Sequence, residues 1–596
     1  MTGAMIGSMV PPATERRGAH GAASSTHHLA TATAMAVLAR GGNAFDAVVA
    51  AGFVLQVVEP HMCGPGGEVP AVFVTADDPT PRVLCGQGVV PAGATIAHLR
   101  DELGLGLVPG TGLLAATVPG AWDGWLTLLR DHGTWSLAAV LEPAIGYAAG
   151  GFPLLPQTRS VIDVVEAHFR RHWPGSAQTW LPAGDTHRLP VLADTWRRLL
   201  SEAAAAGPDR VAQIDAARAA WYRGFVAAEI DAFCRTPVVD ETGRAHAGLL
   251  TGDDMARWSA TYEPAVVASA GGGWAVAKPA AWSQGPVLAQ LVQLVPGARY
   301  VDGVATAGTV HAVVEAEKLA FADREAWYGD NGDPAVLGDL LSAGYSAERR
   351  ALIGDGASWE LRPGSPGGRV PRLPVGAAPG GVRGDGVSTL GLGEPTVASS
   401  GRTRGDTVHV DVVDAAGNMV SATPSGAWLQ SSPTIPALGF CLGTRAQMTW
   451  LEEGLPSSLV PGRRPRTTLS PSLGLRDGEP LLAFGTPGGD QQDQHQLCFW
   501  LAHTVGGLDL QAAIDSPTWH STAFPSSFAP RGWELGGMVA ESRLGPAAFD
   551  ELRRRGHAVT MADAWSLGRM CAVGRGGPLL RAGGDRRSGY GSAAAF

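Results

Sequence analysis

From His27 to Val58 the chain reads HHLATATAMAVLARGGNAFDAVVAAGFVLQVV, with apolar residues at helical spacing, a break at Gly41-Gly42 and a restart at Asn43. Paired glycines suit a helix C-terminus, and an asparagine can accept hydrogen bonds from the first free N–H groups of the next helix, so the pattern predicts two helices. Gly120 to Arg130, Leu137 to Ala149 and Thr309 to Trp327 carry the same period. Apolar runs at 70–75 and 82–85, punctuated by Gly and Pro, predict strands. Residues Thr407 to Ala422, TVHVDVVDAAGNMVSA, alternate apolar and polar positions around Ala416-Gly417-Asn418. That predicts a hairpin whose first strand starts at Thr407. Mixed α and β layers follow.

Asp355 to Arg404 is rich in Gly, Pro, Ser and Arg without a sustained period of 2 or 3.6, which predicts a mobile connector ending just before the hairpin. At 596 residues the chain fits one large or two intimately packed domains.

Composition narrows the function. Hydrophobic residues make up 45% and charged residues 17%, a folded globular balance. A net charge of -10 gives no basic field for nucleic acid or anionic lipid, so the expected partner is a small-molecule substrate. Met1 to His20 lacks a signal-peptide pattern and no run of about 18 apolar residues occurs, which places the chain, as an expectation, in the cytoplasm and away from membranes. Six cysteines without CxxC spacing argue against a zinc site and a disulfide framework. No GxSxG, HExxH or GxxxxGK[ST] motif is present, and His61 and His409 read as packed residues. No metal and no cofactor is expected.

Thr407 is the candidate nucleophile. A threonine hydroxyl needs a neighbouring base, and an N-terminal threonine supplies one in its own α-amine, with an ordinary pKa of about 7.7 to 8.0. Internal Thr407 has that amine only after the Asp406-Thr407 bond is cut.

The segment GDTVHVDVVDAAGNMVSAT resembles the start of the small subunit of gamma-glutamyltransferases at Thr407, His409, Val412-Val413-Asp414 and Gly417-Asn418. GGNAFDAVVA, VEPHMCGPGG, TVPGAWDGW, WYRGFVAAEI, EAEKLAFADR, RRPRTTLSPSL and GTPGGD follow in the family's order, so the resemblance spans essentially the whole chain. It implies an α+β fold, a four-layered αββα sandwich of the N-terminal-nucleophile hydrolase type. It also implies self-cleavage into a large subunit, 1–406, with 355–406 as its flexible linker, and a small catalytic subunit, 407–596; a higher oligomer is left open. Gly488 and Gly489 fall on the family's oxyanion glycines, Ser425 on a second hydroxyl near the nucleophile, and Thr467-Thr468 on paired serines that help hold the substrate carboxylate.

Three positions depart from the family. Gln87, in CGQGVVPAG, stands where an arginine holds the glutamyl carboxylate; Met448, in GTRAQMTW, stands nearest the aspartate that holds the α-amine; and Ala427 replaces an asparagine. Arg445 brings a cation to the same neighbourhood and suits a further carboxylate. An intact nucleophile beside altered recognition groups implies the same chemistry on another substrate. The combination resembles the atypical homologues of antibiotic alkylproline pathways, implied to break a carbon–carbon bond of a 2-oxo acid and release oxalate. Open alternatives are an ordinary gamma-glutamyltransferase or glutathione hydrolase, an amide-cleaving acylase and a catalytically silent binding protein.

Overall fold

The computed structural model describes residues 14–181, 184, 186–330, 333–375, 407–529, 531–587 and 589–596. The first two helices run His28–Ala39 and Ala44–Val58. Asn43 caps the second through a reciprocal box with Asp46, as the glycine break predicts. Ala121–His132, Leu137–Gly150 and Ala307–Trp327 are the other expected helices, and Val69–Val74 and Arg82–Gly86 the expected strands.

Two seven-stranded sheets form the centre. One orders Ser592–Ala595, Gly21–Ser25, Val410–Asp414, Met419–Ala422, Val69–Val74, Arg82–Gly86 and Thr261–Pro264; the other orders Arg16–Gly18, Leu579–Gly584, Cys571–Gly576, Glu479–Gly485, Ser472–Arg476, Trp274–Lys278 and Val266–Gly271. Every neighbouring pair within them is antiparallel. The period-2 pattern sorts their side chains. Val72, Val74, Val413 and Met419 meet Leu473, Ala483 and Val573 between the sheets. Val410, Val412, Val420 and Phe73 pack outward against the helices that begin at His28 and Ala44. On the far side, Val276, Leu482 and Phe484 pack against Pro286–Leu294, Ala307–Trp327 and Gln492–Thr504. The result is the helix–sheet–sheet–helix sandwich expected from the resemblance.

Two local expectations change. The ladder of the central hairpin begins at Val410, not Thr407, and Thr407 instead forms an isolated antiparallel bridge with Ser425. The connector splits into two parts. Residues 355–375 carry almost no regular structure yet are pinned: Ala357 donates to the Arg555 carbonyl at 2.7 Å, Ser358 to Glu315 at 3.1 Å and Gly364 to Asp323 at 2.7 Å. The remainder of the expected linker, with Asp406, lies outside the described residues.

All six cysteines are buried and unpaired to one another. Among the described residues no helix is long and apolar enough to cross a membrane.

Candidate active site

Thr407 lies just before the interior strand Val410–Asp414, and it is completely buried. Val408 donates to the Pro424 carbonyl at 3.1 Å, continuing the hairpin past its regular ladder. This brings the Thr407 Oγ1 to 3.3 Å from the Ser425 Oγ. On its other side Arg569 Nη2 donates to the Thr407 carbonyl at 2.8 Å. Arg569 in turn pairs with Glu59 at 2.9 Å, and Thr26 Oγ1 donates to Glu59 at 2.6 Å. Burial pushes the Glu59 carboxyl up, but the Arg569 guanidinium and its other donors outweigh this and hold it below the ordinary carboxylate range. A buried anion paired and hydrogen-bonded in this way is a rigid support for the cation that orients the Thr407 backbone.

His27 and His61 border the same group. Burial lowers His27 to about 4 and His61 to about 3. Both are therefore neutral near pH 7, and His61 is a packed residue hydrogen-bonded to Thr158 at 3.0 Å. His409 lies 2.8 Å from the Asp411 carboxylate through Nε2 and 2.9 Å from the Thr423 hydroxyl through Nδ1. Since a carboxylate only accepts, the Asp411 contact assigns a proton to Nε2. His409 packs so closely on Gly485 that a Cβ there would lie 2.2 Å from its ring, which is why a glycine ends that strand.

Beyond Gly485 the strand runs into Gly488 and Gly489, with φ of 130° and 54°, and then into the helix Gln492–Thr504. Positive φ at both positions suits glycine and turns the backbone sharply ahead of a helix N-terminus. Gln284 ties this turn to the Thr467-Thr468 loop: its backbone N–H donates to the Thr467 carbonyl at 2.9 Å and its Nε2 to the Gly489 carbonyl at 3.1 Å. Thr468 Oγ1 is buried with no hydrogen-bond partner.

The altered recognition positions fall into two groups. Arg445 sits in the turn Arg445–Met448, donates to Ser425 Oγ at 2.9 Å and to Glu68 through both Nε, at 2.7 Å, and Nη2. Its guanidinium lies 5.1 Å from the Trp428 ring centroid, and Met448, Trp428 and Phe528 form a small apolar cluster of their own. The cation read from the sequence is thus present, but it is already paired with Glu68, whose carboxyl is pushed above the ordinary range by burial against the pull of Arg445. Gln87 is buried elsewhere along this wall: its Nε2 reaches only the neighbouring Gly88 carbonyl, at 3.4 Å, and its Oε1 has no partner. It shares no hydrogen bond with the Thr407 group.

The structure therefore brings Thr407, Ser425 and Arg445 together directly. Gly488 and Gly489 follow Gly485, on which His409 packs two residues beyond Thr407, and Gln284 ties their turn to Thr467. Glu59, Glu68, Gln284 and Arg569 were not singled out in the sequence. Glu59 lies inside the VEPHMCGPGG stretch, which gave a signal without a role; Arg569 lies in no motif.

The family profile described as gamma-glutamyltranspeptidase matches residues 30–595. The chain belongs to the gamma-glutamyltranspeptidase family. It is accordingly a hydrolase of the N-terminal-nucleophile type, and its sandwich is the family fold. Two solved structures of LmbA are 54% and 53% identical, each with a TM-score of 0.91 and covering 98% of this chain and 99% of theirs. The cephalosporin acylase of Bacillus halodurans is 25% identical, with a TM-score of 0.79 over 98% of this chain and 97% of its own. The oxamate amidohydrolase proenzyme of Klebsiella pneumoniae is 29% identical, covering 94% of each chain.

Proposed function

We propose that this chain is a self-processing N-terminal-threonine hydrolase that cleaves a carbon–carbon bond of a 2-oxo acid and releases oxalate, in the manner implied for the antibiotic alkylproline homologues that its sequence resembles. The observation that carries the reading is the contrast at Thr407. The Thr407 hydroxyl lies beside Ser425, which supports an intact nucleophile, whereas the position that the sequence puts nearest the family's ammonium-holding aspartate is Met448, packed with Trp428 and Phe528, with Arg445 paired to Glu68. Among the described residues, the carboxylate in contact with Arg445 is Glu68, and its pairing with that arginine leaves it less available to a substrate ammonium.

In processing, the Thr407 Oγ attacks the Asp406 carbonyl carbon, the peptide C–N bond breaks and the nitrogen becomes the Thr407 α-amine. Water then hydrolyses the resulting ester, leaving residues 1–406 with a carboxylate and 407–596 with a free threonine. In turnover that amine takes the hydroxyl proton as Oγ attacks the 2-oxo carbon. Gly488 and Gly489 N–H groups hold the oxyanion, a contribution of about 2.7 to 4 kcal/mol for one donor. The bond from the 2-oxo carbon to the chain breaks, its electron pair going to the chain carbon, which is protonated. Water releases the two-carbon acyl group from Thr407 as oxalate.

The oxamate amidohydrolase relative supports the acyl half of this scheme. Oxamate is the half-amide of oxalic acid, so attack at its amide carbon leaves the same two-carbon acid on the nucleophile. A second reading, amide cleavage, is favoured by the full-length likeness to acylases, including the Acylase ACY 1 proenzyme of Pseudomonas sp. strain SE83 at 28% identity over 96% of this chain. The test incubates processed protein separately with glutathione, oxamate and a 2-oxo acid bearing a conjugated chain, following glutamate, ammonia and oxalate. Oxalate from the 2-oxo acid with little glutamate is expected. Brisk glutamate release without oxalate overturns the reading, and ammonia from oxamate alone assigns amide cleavage instead.

A further inference from the structure

Behind the Gly488-Gly489 turn lies a fully buried group of five charges, Arg324, Arg466 and Arg531 with Glu325 and Asp490. Arg324 pairs with both carboxylates, lying 2.8 Å from Glu325 and in direct contact with Asp490. Arg466 pairs with Glu325 at 2.9 Å and reaches Ser527 Oγ at 3.3 Å. Asp490 also accepts from the Ser527 N–H at 2.8 Å and its hydroxyl at 2.6 Å. Three cations thus share two anions.

Arg531 is the cation left over. Its Nη2 donates to the neutral carbonyls of Gln447, at 2.9 Å, and Thr449, at 2.8 Å, and its Nη1 reaches the Ser526 carbonyl at 3.5 Å, while its Cζ lies 3.9 Å from the Trp450 ring centroid. Its Nε is buried with no partner. The residue is held at a positive φ of 63°, an uncommon conformation for arginine. Burial, only partly opposed by Glu325 and Asp490, lowers its pKa to about 9, so it stays charged near pH 7, and among the described residues no carboxylate forms an ion pair with it. A buried charge held only by neutral groups is costly, and a guanidinium whose Nε is unpartnered keeps a donor that suits a carboxylate.

Three links connect this group to the segments of the candidate site. Gln447 belongs to the turn whose Arg445 donates to Ser425. Asp490 adjoins Gly489, and Arg466 adjoins Thr467-Thr468, whose second hydroxyl is itself buried without a partner.

We propose that Arg531 is the receptor for the substrate's carboxylate, completing the charge balance of this group when a 2-oxo acid or oxalyl group binds. The proposal rests on the oxalate-releasing reading and supplies what that reading lacks, since Arg445 is closed onto Glu68 and Gln87 carries no charge. It separates this chain from a glutamyl-binding site by placing the anchoring cation on the 525–531 segment rather than after the strand Arg82–Gly86.

The experiment measures binding of oxalate and of its neutral diamide, oxamide, to processed protein by calorimetry, alongside turnover of the 2-oxo acid. Wild-type protein is expected to bind oxalate at least about tenfold more tightly than oxamide. Arg531→Met should weaken oxalate about 10- to 100-fold and leave oxamide unchanged, with the loss of turnover in KM rather than kcat, and Arg531→Lys should recover part of it. A merely structural arginine would move oxalate and oxamide together, which overturns the proposal. If Arg531→Met fails to fold, the wild-type ratio and Arg531→Lys decide: equal wild-type affinities, or a lysine variant unchanged in its oxalate preference, count against it. Oxalate bound through Arg531 without turnover would leave this subsite standing and reject the reaction; turnover with Arg531→Met binding oxalate normally would do the reverse.

Discussion

Around Thr407 the buried charges come in closed pairs, Glu59 with Arg569 and Glu68 with Arg445. A short way off, behind the Gly489 turn, three arginines face two acids. The first region has everything it needs to hold one threonine in one geometry. Among the described residues the second has one cation more than it has acids, which is the basis of the proposed carboxylate site. The difference separates what the family chemistry requires of any substrate from what one substrate class brings with it.

The largest expected effect lies in the balanced region. Thr407→Ala should abolish both cutting and turnover, because neither ester can form, whereas Thr407→Ser should retain part of each, since a hydroxyl and, after cutting, an α-amine survive. Chain length on denaturing gels and oxalate release check this; turnover by the alanine variant would remove Thr407 from the account.

Next comes the pair itself. Arg569→Met leaves Glu59 as an unpaired buried carboxylate, a cost of about 3 to 5 kcal/mol in stability, read from denaturant midpoints. A loss below about 1 kcal/mol would show that Glu59 is not held as an anion. The turn that links the two regions gives a comparable loss of a different kind. Gly488→Ala, at φ 130°, should reposition the oxyanion donors and lower kcat by about 10²- to 10³-fold, with processed protein binding oxalate as before.

The smallest effect is on pH. His27 and His61 keep their protons off until about 4 and about 3 when folded, against an ordinary value of 6.5. The unfolded chain therefore takes up protons first as pH falls. Their stabilising contribution is fully present above pH 6.5 and is lost progressively between about 6.5 and 3. Depressed Glu59 acts in the same direction at lower pH. Urea midpoints at pH 7.5, 6.5 and 5.5 should fall below 6.5, each histidine adding about 1.4 kcal/mol per pH unit inside its window. A flat profile would mean that these rings are hydrated rather than buried.

The layers were legible because their determinants are local. Asn43 after two glycines and the alternation from Val410 to Ala422 each specify an element within about fifteen residues, and the family stretches ordered those elements into a sandwich. Thr407, Gly488 and Gly489 were legible for the same reason, sitting in short motifs. The charge partners were not. Glu68 and Arg445 are separated by 377 residues and Glu59 and Arg569 by 510, distances at which no spacing carries information. Arg445 could be read as a free cation only because Glu68, which closes it, is invisible from position 445. Thr407 could be read as a regular strand residue only because the irregular bridge to Ser425 depends on Glu68, whose backbone exchanges hydrogen bonds with Ser425 at 2.9 and 3.0 Å. Arg531 drew no attention because its meaning lies in a charge count over four separated segments.

Self-cleavage is what makes the balanced region a catalyst, and mass spectrometry of purified wild-type protein beside Thr407→Ala tests it most directly. The account predicts two wild-type chains, residues 1–406 and 407–596, the second beginning at Thr407 with a free amine, and a single uncut chain of 596 residues for Thr407→Ala. A wild-type protein that remained one chain while fully active would contradict it.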